Sequence, residues 1–336
     1  MNDKSILVTG ATGSFGKAFI KFLTKRYKKI KRLVIFSRDE LKQSEMAKVY
    51  DEKKYPFIRY FIGDVRDQKR LSRALNKIDI VIHSAALKQV PIAEYNPIEF
   101  IKTNILGAQN LIEASLNNNV SKVIALSTDK ACAPVNLYGA TKLCSDKLFI
   151  AANNYSGKNI FSVVRYGNVL GSRGSVLPLL MQYKNSGTFT ITSEEMTRFN
   201  ITLDQGVKAV DWAMQNSNGG EILIPKIPSY KLVNLIEAVG LKNKPKIIGL
   251  RKGEKVHEEM ITEADSYTTY DIGKYFLILP DNEKSTLNRF KKKLKVFKKI
   301  PNNFSYNSRD NDQFLSINEL KKMIAHVGNF KKSDVG

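Results

Sequence analysis

Through its first half the chain alternates short apolar runs with longer stretches whose hydrophobic residues recur at helical spacing. The apolar runs are Ile6–Thr9, Leu33–Phe36, Arg59–Ile62, Ile80–His83, Val123–Ser127 and Phe161–Arg165, each four or five residues long. Most are rich in Ile, Val and Phe, the composition of parallel strands covered on both faces. Between them, Phe15, Phe19, Ile20, Leu23 and Tyr27 form one helical stripe, and Ala108, Leu111, Ile112 and Leu116 another. Repeated β-α-β units of this kind predict an α/β fold with a doubly wound parallel sheet. After about residue 166 the alternation fades into shorter elements punctuated by glycine and proline. The expected division is therefore a nucleotide-binding unit over 1–165 and a smaller, mainly substrate-binding unit over 166–336. Within the second span the chain has room to cross back to the sheet.

The first strand runs into Gly10-Ala11-Thr12-Gly13-Ser14-Phe15-Gly16 and then the first helix. Gly10 permits a sharp turn, Gly13 a close approach to a pyrophosphate, and Gly16 tight helix–strand packing, which makes the sheet Rossmann-like. The helix N-terminus then offers free N–H groups to phosphate. A lone glycine triplet is weak evidence, but between a first strand and a first helix it is strong. The second strand ends in Ser37-Arg38, a hydroxyl and a guanidinium suited to a 2′-phosphate, so NADP is the expected dinucleotide. Asp39 follows and keeps NAD open. Asp64 and Val65, after the third strand, either meet the adenine or simply cap a helix.

Composition adds limits. A chain of 336 residues, 43% hydrophobic and 26% charged, is an ordinary globular protein with no apolar run long enough to span a bilayer. With no cleavable apolar stretch at its N-terminus, it is expected to be soluble and cytoplasmic. Two cysteines, Cys132 and Cys144, exclude a disulfide framework and read as packing residues. Three histidines without metal-ligand spacing argue against a metal site, and His83 reads as a strand-end residue. The net charge of +22 fits anionic ligands, since the lysines are spread along the chain with no nucleic-acid-binding signature. The densest basic stretch, Lys284–Lys299, carries Phe290, Leu294 and Phe297 at helical spacing and predicts a surface helix with one docked face.

The chemistry concentrates after the fifth strand. Tyr138 and Lys142 are four residues apart in helical context and share a face. An ammonium there lowers the phenol's pKa, so that Tyr138 can accept a hydroxyl proton while a hydride leaves. Thr128 ends the preceding strand, placed to bond the reacting hydroxyl. Asp129 and Lys130 add an acid and a base beyond what a plain oxidoreductase needs, suggesting a second proton transfer; the alternative is a solvated ion pair.

These residues, Ser127-Thr128-Asp129-Lys130-Ala131 followed by Asn136-Leu137-Tyr138-Gly139-Ala140-Thr141-Lys142, resemble the inverting UDP-N-acetylglucosamine 4,6-dehydratases, the enzymes of the extended short-chain dehydrogenase family that open pseudaminic acid synthesis. The resemblance continues through SRDELKQSE (37–45), GDVRD (63–67), PIAEYNP (91–97), RYGNVLGSRGSV (165–176), MTRF (196–199), PKIPS (225–229) and Gly253-Glu254-Lys255. It spans almost the whole chain and is weakest over about 265–300. It implies transient oxidation at C4, loss of water across C5 and C6, return of hydride to C6 and inversion at C5, with NADP⁺ regenerated each turnover. Tyr138, Lys142 and Thr128 would serve the C4 step, a neutral Lys130 would take the C5 proton, and a protonated Asp129 would donate its proton to the departing C6 hydroxyl. The resemblance further places Thr9, Gly10, Thr12, Gly13, Ser14, Phe15, Gly16, Ser37, Arg38, Asp39, Glu40, Lys42, Asp64, Val65, Ala85, Ala86, Thr103 and Val169 about the dinucleotide, with Tyr138 and Lys142. It assigns the UDP-sugar to Lys88, Asn168, Arg173, Gly174, Ser175, Val176, Arg198, Arg251 and Glu254, and implies a ring-like homo-oligomer such as a hexamer. Gln89 and Asn200 depart from the family pattern, which has His and Trp there, and put pocket shape and subunit packing in question.

Two other readings stay open. One is a UDP-sugar 4-epimerase or C5-retaining dehydratase on the same fold, although retaining relatives tend to be membrane-anchored and to carry Met at the position of Tyr138. The other is a non-enzymatic NADP-binding sensor or nucleic-acid-associated protein, motivated by the charge.

Overall fold

The computed structural model describes residues 1–333 apart from 156, 173, 184–188, 242 and 244, with side chains to residue 326. The six expected strands form where the apolar runs lie: β1 (Ser5–Thr9), β2 (Arg32–Ser37), β3 (Ile58–Ile62), β4 (Ile80–His83), β5 (Lys122–Thr128) and β6 (Ile160–Tyr166). Beyond β6 the chain returns to the sheet with β7 (Ile222–Pro225), β8 (Thr269–Asp271), β9 (Tyr275–Ile278) and β10 (Lys298–Lys299). Among the described residues these ten strands make one sheet in the order β10-β8-β9-β7-β6-β5-β4-β1-β2-β3. From β7 to β3 all pairings are parallel, and the β7–β9, β8–β9 and β8–β10 pairings are antiparallel. Reversal of strand order beside β1 opens the crevice in which ligands of such sheets bind.

Helices cover both faces. Helix α1 (Ser14–Arg26) buries Phe19, Ile20 and Leu23 of the expected stripe and packs on α6 (Leu203–Asn216). On the other face α3 (Gln68–Ala74) meets α4 (Gly107–Asn117), which buries Ala108, Leu111 and Ile112 and meets α5 (Leu137–Ala151). A π-helical segment, Ile101–Leu106, leads into α4. A second core of Leu170, Leu177, Leu180, Tyr230, Leu235 and Leu320 gathers segments that leave the sheet between 168 and 239 and the last helix, α7 (Ile317–Ser333).

The basic stretch departs from expectation. Its helix spans only Lys284–Lys291, so Phe290 is buried on it whereas Leu294 and Phe297 lie beyond its end. Phe297 stacks on Tyr270 with ring centroids 4.3 Å apart, and the chain must extend there because Lys298 and Lys299 then pair with β8 as the sheet's edge. Charged side chains on an edge strand discourage pairing with other chains. Of the cysteines, Cys132 is buried as expected, but Cys144 is exposed on α5 and is not a core residue.

Candidate functional site

A cavity of about 1160 Å³ opens at the carboxyl ends of β1, β4, β5 and β6. Gly10 turns the chain at φ +62°, and a Cβ there would sit 2.8 Å from the Ala85 nitrogen. A Cβ on Gly16 would lie within 2.6 Å of the Ala11 backbone, so glycine is required for α1 to close on the turn. Gly13 precedes α1 without a side chain to cap it, leaving the N-terminal amides of the helix to face the cavity. This cradle of bare backbone fits a pyrophosphate. Thr9 is fully buried behind it, where its Oγ1 meets His83 Nδ1 at 2.8 Å and accepts from the Ser84 and Ala85 amides. Thr9 thus shapes the wall without lining it. His83 is held neutral by burial, its pKa driven down to about 3, in keeping with a strand-end role.

At the other end of the cradle, Ser37, Arg38, Asp39 and Lys42 line the cavity, while Glu40 is exposed on α2 (Glu40–Val49) and does not. Asp39 caps α2 by accepting from the Lys42 amide at 3.0 Å and also pairs with the Lys42 ammonium. Its carboxylate is therefore already engaged. Arg38 lies 3.5 Å from Asp64 and remains half-exposed at the rim.

Four chemistry-bearing side chains meet at the end of β5. The Thr128 hydroxyl donates to Asp129 Oδ1 at 2.9 Å and is in hydrogen-bonding reach of the Tyr138 phenol. The Lys130 ammonium donates to Asp129 Oδ1 at 3.1 Å and Asn168 Oδ1 at 3.2 Å, and pairs with Glu258 Oε1 at 3.2 Å. Tyr138 and Lys142 are both buried on α5, as their spacing requires. Asn136 caps α5 through the Gly139 amide at 2.8 Å. Asn104, in the π-helical segment, pins Leu87 through both its amide and its carbonyl and donates to Thr141 at 3.0 Å, fixing the cavity wall against α5.

Burial pushes the Tyr138 phenol up to about 12, while Lys130 and Thr128 pull against it. The cation that acts on Tyr138 in this structure is thus Lys130, where the spacing alone singles out Lys142. Lys142 is itself depressed by burial. Burial raises Asp129, which is 0% exposed, against the pull of the Lys130 ammonium; a solvated ion pair is excluded. The expectation of a neutral Lys130 meets the opposite result. Burial works to depress it, but the Asp129 and Glu258 carboxylates outweigh burial and hold it as the ammonium.

The family described as polysaccharide biosynthesis protein matches residues 6–280. The chain belongs to that family. Among relatives of this polysaccharide biosynthesis family member, the UDP-N-acetylglucosamine 4,6-dehydratase (inverting) of Campylobacter jejuni is 52% identical over 340 residues, covering 98% of this chain and 99% of that protein. A UDP-glucose 4-epimerase of Rickettsia akari is 40% identical over 331 residues, 96% of this chain and 95% of that one. The X-ray structure of Pen from Bacillus thuringiensis superposes with a TM-score of 0.86 at 35% identity, covering 97% of this chain and 98% of that chain. The family resemblance carried by the motifs is therefore established over the full length.

Of the residues expected about the sugar nucleotide, Lys88, Asn168, Gly174, Ser175, Val176, Arg198, Arg251 and Glu254 line this family member's cavity, as do Ala85, Ala86, Thr103 and Val169 of those expected about the dinucleotide. Arg173 lies outside the described residues. Asp129 is behind the surface, reaching the cavity only through Thr128 and Lys130. Gln89 closes on Gly174, where a Cβ would lie 2.4 Å from its amide nitrogen, and Asn200 is buried with its Nδ2 3.4 Å from Met323 Sδ. Sequence reasoning missed Glu258, Tyr166 and Asn104. Glu258 stands three residues after the Gly253-Glu254-Lys255 motif, but nothing local marks it or the other two as functional.

Proposed function

We propose that this chain is a lyase that removes water from UDP-N-acetylglucosamine across C5 and C6 with inversion at C5, working with a tightly held NADP⁺. The observation that carries the reading is the contact of Thr128, Asp129, Lys130 and Tyr138 in one cluster beside the glycine cradle. An oxidoreductase or epimerase has use for Tyr138, Lys142 and Thr128 but none for a buried acid joined to a lysine at the same point. The 52% identical relative of that name supports the substrate.

Bound nicotinamide would supply the acceptor and donor of hydride. Tyr138 takes the proton of the sugar's 4-hydroxyl, with Thr128 orienting both groups. Asp129, raised by burial, would act in its protonated form as the acid for the departing C6 hydroxyl, its proton passing through the Thr128 hydroxyl, which would then accept from Asp129 and donate to the leaving oxygen. Lys130 would be the amine that takes the C5 proton, having first released its own proton to solvent through the open cavity. The Gly10–Gly16 cradle would hold the pyrophosphate of the cofactor, while Arg198 and Arg251, which line the same cavity, would supply cations to a second diphosphate. No helix among the described residues is long and apolar enough to cross a membrane, which accords with a cytoplasmic enzyme, and we propose a homo-oligomer as its working form.

Incubation with UDP-N-acetylglucosamine in D₂O without added reductant should yield a product lighter by one water, deuterated and inverted at C5. The 40% identical relative named as a 4-epimerase makes the second reading specific: a C4 epimer of unchanged mass would replace the first with it.

For the cofactor, the engaged carboxylate of Asp39 and the half-exposed guanidinium of Arg38 favour a 2′-phosphate over a free ribose diol. Arg38→Ala should weaken NADP⁺ binding by roughly tenfold, the worth of a charge-assisted hydrogen bond, and leave NAD⁺ affinity nearly unchanged in calorimetric titrations.

A further inference from the structure

An ammonium has three N–H donors, and Lys130 finds three oxygens within 3.2 Å: Asp129 Oδ1, Asn168 Oδ1 and Glu258 Oε1. Its donors are all engaged, two of them by residues beyond β6. Glu258 is the least expected partner. It is 3% exposed, its Oε1 also faces Arg198 Nε at 3.7 Å, and its Oε2 is buried without a hydrogen bond among the described residues. Its backbone is clamped on both sides by Ser308, which accepts from its amide at 2.9 Å and donates to its carbonyl at 2.7 Å. The segment leading to it is tied to the loop that carries Lys130: Asn136 donates to the Gly253 carbonyl and Lys255 donates to the Cys132 carbonyl, each at 2.8 Å. Burying a carboxylate is costly unless it is paired, and the cations that act on it here are Lys130, Arg198 and, more weakly, Lys255.

We propose that Glu258 is a positioning residue of the dehydration site, which fixes Lys130 from the far half of the molecule and sets the pH at which that lysine gives up its proton. This rests on the dehydratase reading, in which Lys130 acts as a base. The charged and titratable groups facing Lys130 are Asp129, Glu258, Arg198 and the phenols of Tyr138 and Tyr230. Of the two carboxylates, Asp129 is the one burial drives towards its neutral acid, whereas Glu258 is held ionised by Lys130 and Arg198 against the opposing effect of burial. Glu258 is therefore the second negative charge, beside Asp129, that holds the proton on Lys130. Removing it leaves Asp129 alone to hold the proton with Arg198 nearby, so Lys130 must deprotonate at lower pH.

The test compares full-length wild type, Glu258→Gln and Glu258→Asp. Trace acetylation with acetic anhydride across a pH series, read by mass spectrometry of the Lys130 peptide, reports the neutral amine without requiring turnover. In Glu258→Gln the onset of labelling should move down by at least about one pH unit, the effect of losing an opposite charge at this distance, and in Glu258→Asp by less. The ascending limb of the pH–kcat profile should move in the same direction, with kcat at the optimum falling more than KM rises and partly recovering in Glu258→Asp. An unchanged labelling onset in folded Glu258→Gln overturns the proposal. Should that variant not fold, Glu258→Asp decides by the same criterion. If wild type does not dehydrate the sugar nucleotide, the functional reading fails, and the labelling series still judges the hold of Glu258 on Lys130.

Discussion

Replacing Lys130 by Met is expected to lower the rate of dehydration by about 10²–10⁴-fold, the usual contribution of a positioned acid or base. Met keeps most of the aliphatic volume, so the change removes the amine with little cavity. Two effects add. The group that meets the C5 proton is gone, and the Asp129 and Glu258 carboxylates lose the ammonium lying 3.1 and 3.2 Å away. One of them must then take up a proton, and Asp129, already raised by burial, is the one to do so. Oxidation at C4 should fall less, because Tyr138 and Thr128 remain in place, although the phenol loses the cation that now pulls its pKa down. The measurement is paired: dehydrated product by mass spectrometry, and the absorbance of reduced cofactor on mixing with the sugar nucleotide. Near-complete loss of product with C4 oxidation retained separates the two halves of the chemistry. Full-rate dehydration in Lys130→Met would remove Lys130 from the mechanism.

The part of this site that was legible in the sequence is the part that one strand–turn–helix unit builds locally. The spacing of Gly10, Gly13 and Gly16, and of Tyr138 and Lys142, encodes geometry within a few residues, and both motifs stand where that spacing requires. The strands were legible for a related reason: β1 and β4 to β6 are covered on both faces, so most of their residues must be apolar. What could not be read is set by contacts across the fold. Glu258 reaches Lys130 over 128 positions of sequence, and no local pattern distinguishes it from Glu259 beside it. Nor could the local sequence show that the Asp129 and Glu258 carboxylates oppose burial at Lys130, whereas burial depresses Lys142. The short helix at Lys284–Lys291 fails the helical-spacing argument because strand pairing at Lys298–Lys299 and stacking of Phe297 on Tyr270 override the local periodicity.

Beneath the cavity a second buried charge cluster carries the largest expected effect on stability. Asp146 follows Lys142 by one helical turn on α5 and is 1% exposed. Its Oδ2 accepts from the Ser127 hydroxyl at 2.7 Å and lies 3.5 Å from the guanidinium of Arg165, itself 2% exposed. Arg165 in turn donates to the Met260 carbonyl at 3.0 Å and approaches Asp265 to 3.7 Å. One carboxylate thus joins β5, β6, α5 and the strand at Glu259–Ile261. Burial raises Asp146, while Arg165 and Lys142 pull it down. Asp146→Asn keeps the shape and a bond to Ser127 but strands Arg165 and Lys142 as buried cations without their common counter-charge. The loss of unfolding free energy should be about 3–5 kcal/mol, read from the urea midpoint with an unchanged slope. Asp146→Leu combined with Arg165→Met should recover part of that loss, because an apolar pair of similar volume avoids the desolvation that the ion pair must offset. Recovery stays partial, since Lys142 remains without its neighbour and Asp265 loses Arg165. An Asp146→Asn protein within about 0.5 kcal/mol of wild type, the range of ordinary surface substitutions, would mean that the cluster is held by packing and that its charges balance elsewhere.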